Sequence, residues 1–498
     1  MTPDHNTTGP ALADPATIND GWAPTSTPGT ITGDALAALR DKVEKEPAVS
    51  ERERSSSGQL RMAYRLKAKY AGRLLYAADL RRWHVWDGQR WAEDVTGRRH
   101  EYVREVLHAA FDAGMHDPEL RQAVQRCQSA NAVEGILRLA ETMPAFVMTS
   151  EDLDSDPYLL NTPAGTYDLR TNTVRPHDPT DRLTKMTRGS FDPEAVYSQE
   201  DAPLWYRFLE QVLPDGAVRR YFRAFVGMAL CGSVREQVFT IATGTGANGK
   251  GVAYNAVLHA LGDYGHAADS ELFMQAKGSA NAASPALFEL MGRRFVVVSE
   301  TERDRPLATA LMKSLTGGDP ITARALYSPP VTFMPTHTPL MVTNFLPKID
   351  GTDPAAWRRV RVIPFDVTVP PEERDPELGS KLETEADAIV TWALEGWADY
   401  QANGMPDAAA VTAATDRYRQ DSDTVARFLA ERCVRTPAGR TSLPDLYREF
   451  QSWAVDDGAD VLARRQFSEQ LEGHGFEKYR SKAGMVFRGV GLLVDESA

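Results

Sequence analysis

Residues 243–251, TGTGANGKG, constrain this chain more than any other stretch. They read as Gly244-x-x-x-x-Gly249-Lys250, a glycine-rich loop of the phosphate-binding kind. Residues 238–242 (VFTIA) ahead of it have the β-branched and aromatic content of a buried strand. Residues 252–261 (VAYNAVLHAL) behind it have helical spacing. Strand, glycine loop and helix in that order are what such a loop requires. Glycines let backbone N–H groups converge on phosphate oxygens, and the helix N-terminus adds partial positive charge. Gly244, Thr245, Gly246, Ala247, Asn248, Gly249, Lys250, Gly251 and Val252 are therefore candidate phosphate ligands, with Lys250 reaching the β- and γ-phosphates. Position 251 ordinarily carries a Ser or Thr whose hydroxyl binds Mg²⁺; here it is Gly251.

A chain of 498 residues exceeds one core, so two to four domains are expected. The net charge of −13 argues against an overall basic coat for nucleic acid and leaves room for a local basic channel. Cys127, Cys231 and Cys433 stand far apart, which indicates neither a disulfide framework nor a zinc ribbon. No apolar run approaches the roughly 20 residues of a membrane span, and the N-terminus lacks the pattern of a secretory signal. A soluble cytoplasmic protein is expected, without membrane contact.

Residues 1–56 are rich in Thr, Pro, Asp and Ala and poor in aromatics, the composition of a disordered tail; 35–43 fit a short helix. Residues 57–150 form an α+β or helical region, with Leu60, Tyr64, Leu66 and Tyr70 packed along a first helix. Residues 80–91 (LRRWHVWDGQRW) read as a hairpin turning at Asp87-Gly88, whose Trp83, Trp86 and Trp91 belong to core or edge packing before base stacking. Helices are expected over 100–147 and 203–232. Residues 293–300 (RRFVVVSE) read as a strand buried on both faces of a parallel sheet. Glu300 and Glu302, at its end, could order the shell of a Mg²⁺ ion and polarise water. Residues 340–344 (LMVTN) form another strand ending in Asn344. Residues 356–365 (AWRRVRVIPF) place Arg358 and Arg359 just ahead of a third.

The linked set SETE, KSLTGGDPITARALY, TNFLP and WRRVRVIPF, in this order and spacing, resembles the superfamily 3 helicases. It is most similar to the phage and plasmid primase–helicase branch, related to the poxvirus primase-helicase. The resemblance covers roughly residues 150–495, and residues 158–171 (YLLNTPAGTYDLRT) resemble the domain that precedes the helicase there. It implies a P-loop, AAA+-like ATPase at 236–400 behind a pre-helicase domain at 151–235. Glu300 would be the second acidic motif and hold Mg²⁺, mostly through water. Asn344 would be the sensor of the γ-phosphate, and Lys313 would touch nucleotide from a neighbouring subunit. Arg358 or Arg359 would be the finger inserted into that neighbour's site, the other bracing the loop against Glu300 or Asp350. Residues 324–330 would form a hairpin gripping DNA in a central pore, with Arg324 and Tyr327 where other relatives carry Lys and His.

Residues 415–498 read as a winged helix: helices around Val425, Leu446 and Phe467, then strand, turn and strand around Ala483-Gly484. From Arg464 to Arg488 there are six Lys or Arg and three Glu, so this part is locally basic. Arg464 and Arg465 open the recognition helix; Lys478, Arg480 and Lys482 decorate the wing, placed for phosphate contact.

The expectation is an ATP- and Mg²⁺-dependent DNA helicase of a phage, plasmid or integrated element. It would form a homo-oligomeric ring, a hexamer, with single-stranded DNA in the pore and duplex at the winged helix, serving a separate primase or polymerase. Residues 1–150 show neither a strand-borne Asp-x-Asp pair nor a cysteine knuckle, so no primer synthesis is expected. A nucleotide-gated origin-binding initiator with weak unwinding, and an ATPase of defence or packaging, are the alternatives.

Overall fold

A computed structural model describes residues 51–191, 203–275, 285–299, 305–326, 328–482 and 484–493. The chain divides into two units, Met1–Ser56 and Ser57–Ala498. In the first, Glu51–Arg54 form one helical turn within the stretch expected to be a tail; the helix expected at 35–43 lies outside the described residues.

The second unit opens with α1 (Gly58–Tyr70), followed by strands β1 (Leu74–Ala77), β2 (Arg82–Trp86) and β3 (Trp91–Glu93). Helices α2 (Arg98–Ala113), α3 (Pro118–Arg126) and α4 (Ala130–Ala140) lead to β4 (Val147–Met148). The sheet runs β3-β2-β1-β4. As the Asp87-Gly88 signal predicts, β2 and β3 pair antiparallel with Trp86 opposite Trp91. Asp87 Oδ1 accepts the amides of Gln89 and Arg90, each at 2.8 Å, closing the turn. Trp83 and Trp91 are buried in the protein's own core. Along α1, Met62, Ala63, Leu66 and Tyr70 face inward. Leu60, expected there, is 40% exposed, because it lies off the face that carries Met62, Ala63, Leu66 and Tyr70.

Strands β5 (Leu159–Thr162), β6 (Gly165–Asp168) and β7 (Thr173–Arg175) make an antiparallel sheet, followed by helices α5 (Leu204–Val212) and α6 (Gly216–Ala229). Then comes the sheet that organises the molecule. Its members are β8 (Phe239–Thr243), β9 (Gly265–Ala268), β10 (Phe295–Ser299), β13 (Thr338–Thr343) and β14 (Val360–Pro364). Between β10 and β13 lies a hairpin of β11 (Ile321–Ala323) and β12 (Val331–Phe333). The large sheet is ordered β14-β8-β13-β10-β9, every pair parallel.

Its central strands are apolar because both faces are covered. Phe239, Ile241, Val296, Val298, Met341, Val360 and Val362 point into one core, shared with Phe273, Met312 and Trp357. Ala242, Phe295, Val297, Leu340, Val342 and Ile363 point into the other, the alternation expected of strands. This second core continues into α5, α6, α7 (Lys250–Leu261), α9 (Ala386–Asn403) and the β5–β6 sheet. The β5–β6 sheet and helices α5 and α6 therefore share one core with the parallel sheet. The first face carries α8 (Thr309–Gly317). The edge strand β14 is covered by α10 (Ala409–Ser422), where Thr415 Oγ1 accepts the Val362 amide at 2.9 Å.

The chain then gives α11 (Thr424–Arg432), β15 (Cys433–Ser442), α12 (Leu443–Asp457), α13 (Arg464–Gly473), β16 (Glu477–Ser481) and β17 (Gly484–Leu492). The antiparallel sheet is ordered β15-β17-β16 around a core of Phe428, Phe450, Trp453 and Phe467. The three helices and the β16–β17 hairpin lie where the sequence indicates; β15 is an additional strand. The molecule is thus mixed α/β, with a parallel sheet and many helices. Among the described residues no helix is long and apolar enough to cross a membrane.

Candidate active site

The parallel strands end on one rim. Thr243 of β8 pairs with Thr343 of β13 on one side and with Pro364 of β14 on the other. The glycine loop leaves β8 there, and Asn344 follows β13 directly alongside. Helix α7 begins at Lys250, with Gly249 at φ +77°. Gly246 is at φ +101°, a conformation glycine adopts without penalty. A Cβ on Gly249 would come within 2.5 Å of Val212 Cγ1, so the close packing of α5 also requires glycine there.

Lys250 is 6% exposed. Its ammonium donates to the Gly244 carbonyl at 2.9 Å, Asn248 Oδ1 at 3.1 Å and Asn344 Oδ1 at 3.1 Å. All three acceptors are neutral, and among the described residues no carboxylate pairs with it. Burial accordingly lowers its pKa from the ordinary lysine value. A buried cation held by neutral oxygens, beside a loop rich in glycine, fits an anionic phosphate. A divalent ion finds less protein. No group of three His, Cys, Asp or Glu converges among the described residues. Gly251 offers no hydroxyl, although a Cβ built there meets nothing within 4 Å. Glu300 and Glu302 lie outside the described residues. Mg²⁺ commonly keeps several waters and binds through substrate phosphates with one or two carboxylates. The loop suits that mode better than an all-protein cage.

A second cluster forms on the opposite rim. Val360, at the start of β14, pairs with Phe239 at the start of β8, so the residues before it lie a strand length, roughly 16 Å, from the glycine loop. Lys313 on α8 forms an ion pair with Asp353. Asp353 caps the short helix Pro354–Trp357, its Oδ1 accepting the amides of Ala355 and Ala356. Burial alone would raise the Asp353 carboxyl; Lys313 and the two amides outweigh it and hold the pKa below the usual value. That helix ends at Arg358, which is exposed. Arg359 is only 6% exposed. It donates to the Ala355 carbonyl at 2.9 Å and to Gln237 Oε1 at 3.1 Å, and burial followed by the Arg358 charge lowers its pKa. Among the described residues the bracing partners are thus Ala355 and Gln237, not Asp350, which instead accepts from Thr352 and Gln470; Glu300 lies outside the described residues. Arginine braces through whatever oxygens its buried fork meets, and a helix-to-strand turn offers carbonyls first. The Asp353-Pro354 pair, a helix-start signal, could have marked the cap from sequence; nothing local marks Gln237.

Two family models match the chain. Residues 63–214 match the family described as D5 N terminal like. Residues 242–359 match a family of unknown function, DUF5906. A protein named as a candidate helicase of Acanthamoeba polyphaga mimivirus is 29% identical over 357 residues, 67% of this chain and 37% of that protein. One named as a candidate primase of African swine fever virus (strain Badajoz 1971 Vero-adapted) is 26% identical over 382 residues, 70% of this chain and 38% of that protein. This chain is related to the viral primase–helicases. It spans about two fifths of the length of these relatives, 37% and 38%. The D5-like match starts at residue 63, well ahead of residue 150, where the resemblance in the motifs begins. Among solved structures, the apo C-terminal region of NrS-1 aligns with 86% of this chain and 99% of its own, at 8% identity and a TM-score of 0.47.

Of the described sequence candidates outside the two rims, Arg324, Arg464, Arg465, Arg480 and Lys482 are exposed and Lys478 is half-buried. Arg324 leaves β11 toward the hairpin tip, where Leu326 is 73% exposed; Tyr327 lies outside the described residues. In the C-terminal sheet and helices, Arg464, Arg480 and Lys482 are exposed and make no ion pair among the described residues. Arg465 pairs with Glu469 at 2.8 Å, and Lys478 with Glu472 at 2.9 Å. Those two charges are partly spent within the chain.

Proposed function

We propose that this chain hydrolyses ATP at the rim formed by Lys250 and Asn344, and that it uses the hydrolysis to move along DNA as a ring. The observation that carries the reading is the buried Lys250 ammonium, coordinated among the described residues by neutral oxygens and shared with the strand-end Asn344. The backbone N–H groups at the start of α7 would take the phosphates, and Lys250 would leave its neutral acceptors for the β- and γ-oxygens. Asn344, already at hydrogen-bond distance from that ammonium, would orient the γ-phosphate or the attacking water. Bound Mg²⁺ would supply the remaining positive charge on the phosphates.

Arg358 would act on the site of the next subunit. It is exposed, its guanidinium bears no partner among the described residues, and it sits a strand length from its own glycine loop. Arg359 would hold the loop that presents it, and Lys313 with Asp353 would fix the preceding turn. A guanidinium suits the role because it stays charged and offers a planar fork. Fingers of this kind contribute about 10³–10⁵ in rate. The hairpin of β11 and β12 would touch single-stranded DNA. The C-terminal helices and sheet would serve as a winged helix on duplex, through Arg464, Arg480 and Lys482.

Lys250→Ala tests the site. Loss of ATP hydrolysis with an unchanged circular dichroism spectrum is expected. Wild-type turnover in that variant would overturn the assignment.

A further inference from the structure

Asn248 is 3% exposed, and both ends of its amide are engaged. Its Nδ2 donates to the Phe365 carbonyl at 3.0 Å. Its Oδ1 accepts from the Lys250 ammonium at 3.1 Å and from the Lys250 amide at 3.5 Å. Only this orientation of the amide works. Turned over, it would set its NH₂ against the ammonium and its oxygen against a carbonyl. Phe365 is the first residue beyond β14. A few residues on, the Val369 amide donates to the Ala247 carbonyl at 2.8 Å. The glycine loop is therefore fastened at two points to the segment that leaves β14.

The fastening bears on the loop's conformation. Ala247 sits at φ +49°, in the left-handed region that a residue with a Cβ seldom adopts. Such a backbone persists where its surroundings over-determine it. The amide also lies flat against the first glycine of the loop, since a Cβ on Gly244 would be 2.2 Å from Asn248 Nδ2 and 2.3 Å from the Phe365 oxygen.

We propose that Asn248 is the positioning residue of this loop: its side chain holds the Lys250 ammonium at the phosphate place before nucleotide arrives and fixes the loop to the exit of β14. The proposal rests on the reading of the loop as an ATP site. A neutral acceptor is what the task needs. A carboxylate in its place would pair with the ammonium and repel the phosphates. An alanine would leave the ammonium with Gly244 and Asn344, and the loop without its tether. The two changes separate the electrostatic part of the role from the mechanical part.

The experiment compares full-length wild type, Asn248→Asp, Asn248→Ala, Asn248→Ser and Lys250→Ala. Affinity for a fluorescent ATP analogue, KM and kcat for ATP, and melting temperature are measured on each. Asn248→Asp should weaken analogue binding and raise KM by at least about tenfold, the effect of a carboxylate beside bound phosphate. Asn248→Ala should raise KM less and lower kcat as well. Asn248→Ser, which keeps an uncharged acceptor, should lie nearest wild type. Equal losses in Asp, Ala and Ser that track melting temperature would overturn the proposal in favour of a purely structural amide. Wild-type affinity in Asn248→Asp would overturn it too. If Lys250→Ala binds and hydrolyses as wild type does, the ATP site itself fails, whatever the Asn248 variants show.

Discussion

Lys250 is held where a cation is costly without an anion, and that sets a trade between stability and function. The folded state lowers its pKa, so charged Lys250 opposes folding. Lys250→Met should therefore abolish hydrolysis and raise the melting temperature, by about 2–4 °C for each kcal/mol relieved in domains of this scale. The sign extends to pH. Above the lowered folded pKa the unfolded chain binds the extra proton, so wild-type stability climbs relative to Lys250→Met as pH rises through that value toward the ordinary 10.5. A melting series over pH in both proteins checks it, and a gap independent of pH would contradict it. Two arginines adjacent in sequence should also part company. Arg359→Ala removes a buried fork bonded to Ala355 and Gln237 and should destabilise by about 1–3 kcal/mol. Arg358→Ala should melt as wild type does and lose hydrolysis, so matched melting losses in the two would refute the division. Sequence shows two arginines before a strand and no more, because their difference lies in which one the turn after Trp357 points inward. At Gly251 nothing crowds a side chain. Gly251→Ser should therefore fold normally and lower the Mg²⁺ concentration needed for half-maximal hydrolysis; an unchanged Mg²⁺ titration would show that a hydroxyl at 251 does not reach the ion.

At the scale of elements, β8, β10, β13 and β14 were readable because they are continuous apolar runs, whereas the edge strand β9, GHAA, offers no such run; the glycine loop was readable because few other structures use that spacing. The strand β15 was not. Its sequence, CVRTPAGRTS, holds a proline and a glycine, and its pairing with β17 shifts register between Arg435 and Arg440. Edge strands tolerate both residues, so the alternation that marks a strand never appears. The C-terminal region also leans on the body of the molecule. Gln470 Nε2 donates to Asp350 Oδ1 at 3.2 Å, and a Cβ on Gly351 would meet Asp423 Cα at 2.7 Å. Truncation at residue 421 would expose that seam, so surface substitutions give the cleaner test. The triple variant Arg464→Ala/Arg480→Ala/Lys482→Ala should bind duplex DNA more weakly. Its slope of log affinity against log salt should be shallower by up to about 2.7, close to 0.9 for each phosphate no longer neutralised. ATP hydrolysis without DNA should be unchanged. Identical isotherms at several salt concentrations would show that this surface binds something else.

Over the whole molecule, the candidate site residues gather at two ends of one sheet. Lys250, Asn248 and Asn344 occupy the rim where the strands finish. Lys313, Asp353 and Arg358 occupy the rim where they begin. Parallel strands keep those rims apart in any single chain, so on the proposed reading the two clusters would meet only through a partner copy. The core that the β5–β6 sheet, α5 and α6 share with the parallel sheet was hidden from sequence, since helices α5 and α6 carry the same apolar stripe whether they close a separate domain or cover a neighbour. A site divided between subunits is tested by mixing inactive Lys250→Ala subunits with inactive Arg358→Ala subunits. In a head-to-tail ring assembled at random from equal amounts, about a quarter of interfaces would pair an intact loop with an intact arginine. ATPase activity should return in that measure. No recovery, with mixed assembly confirmed by differential tags, would contradict a site shared between subunits.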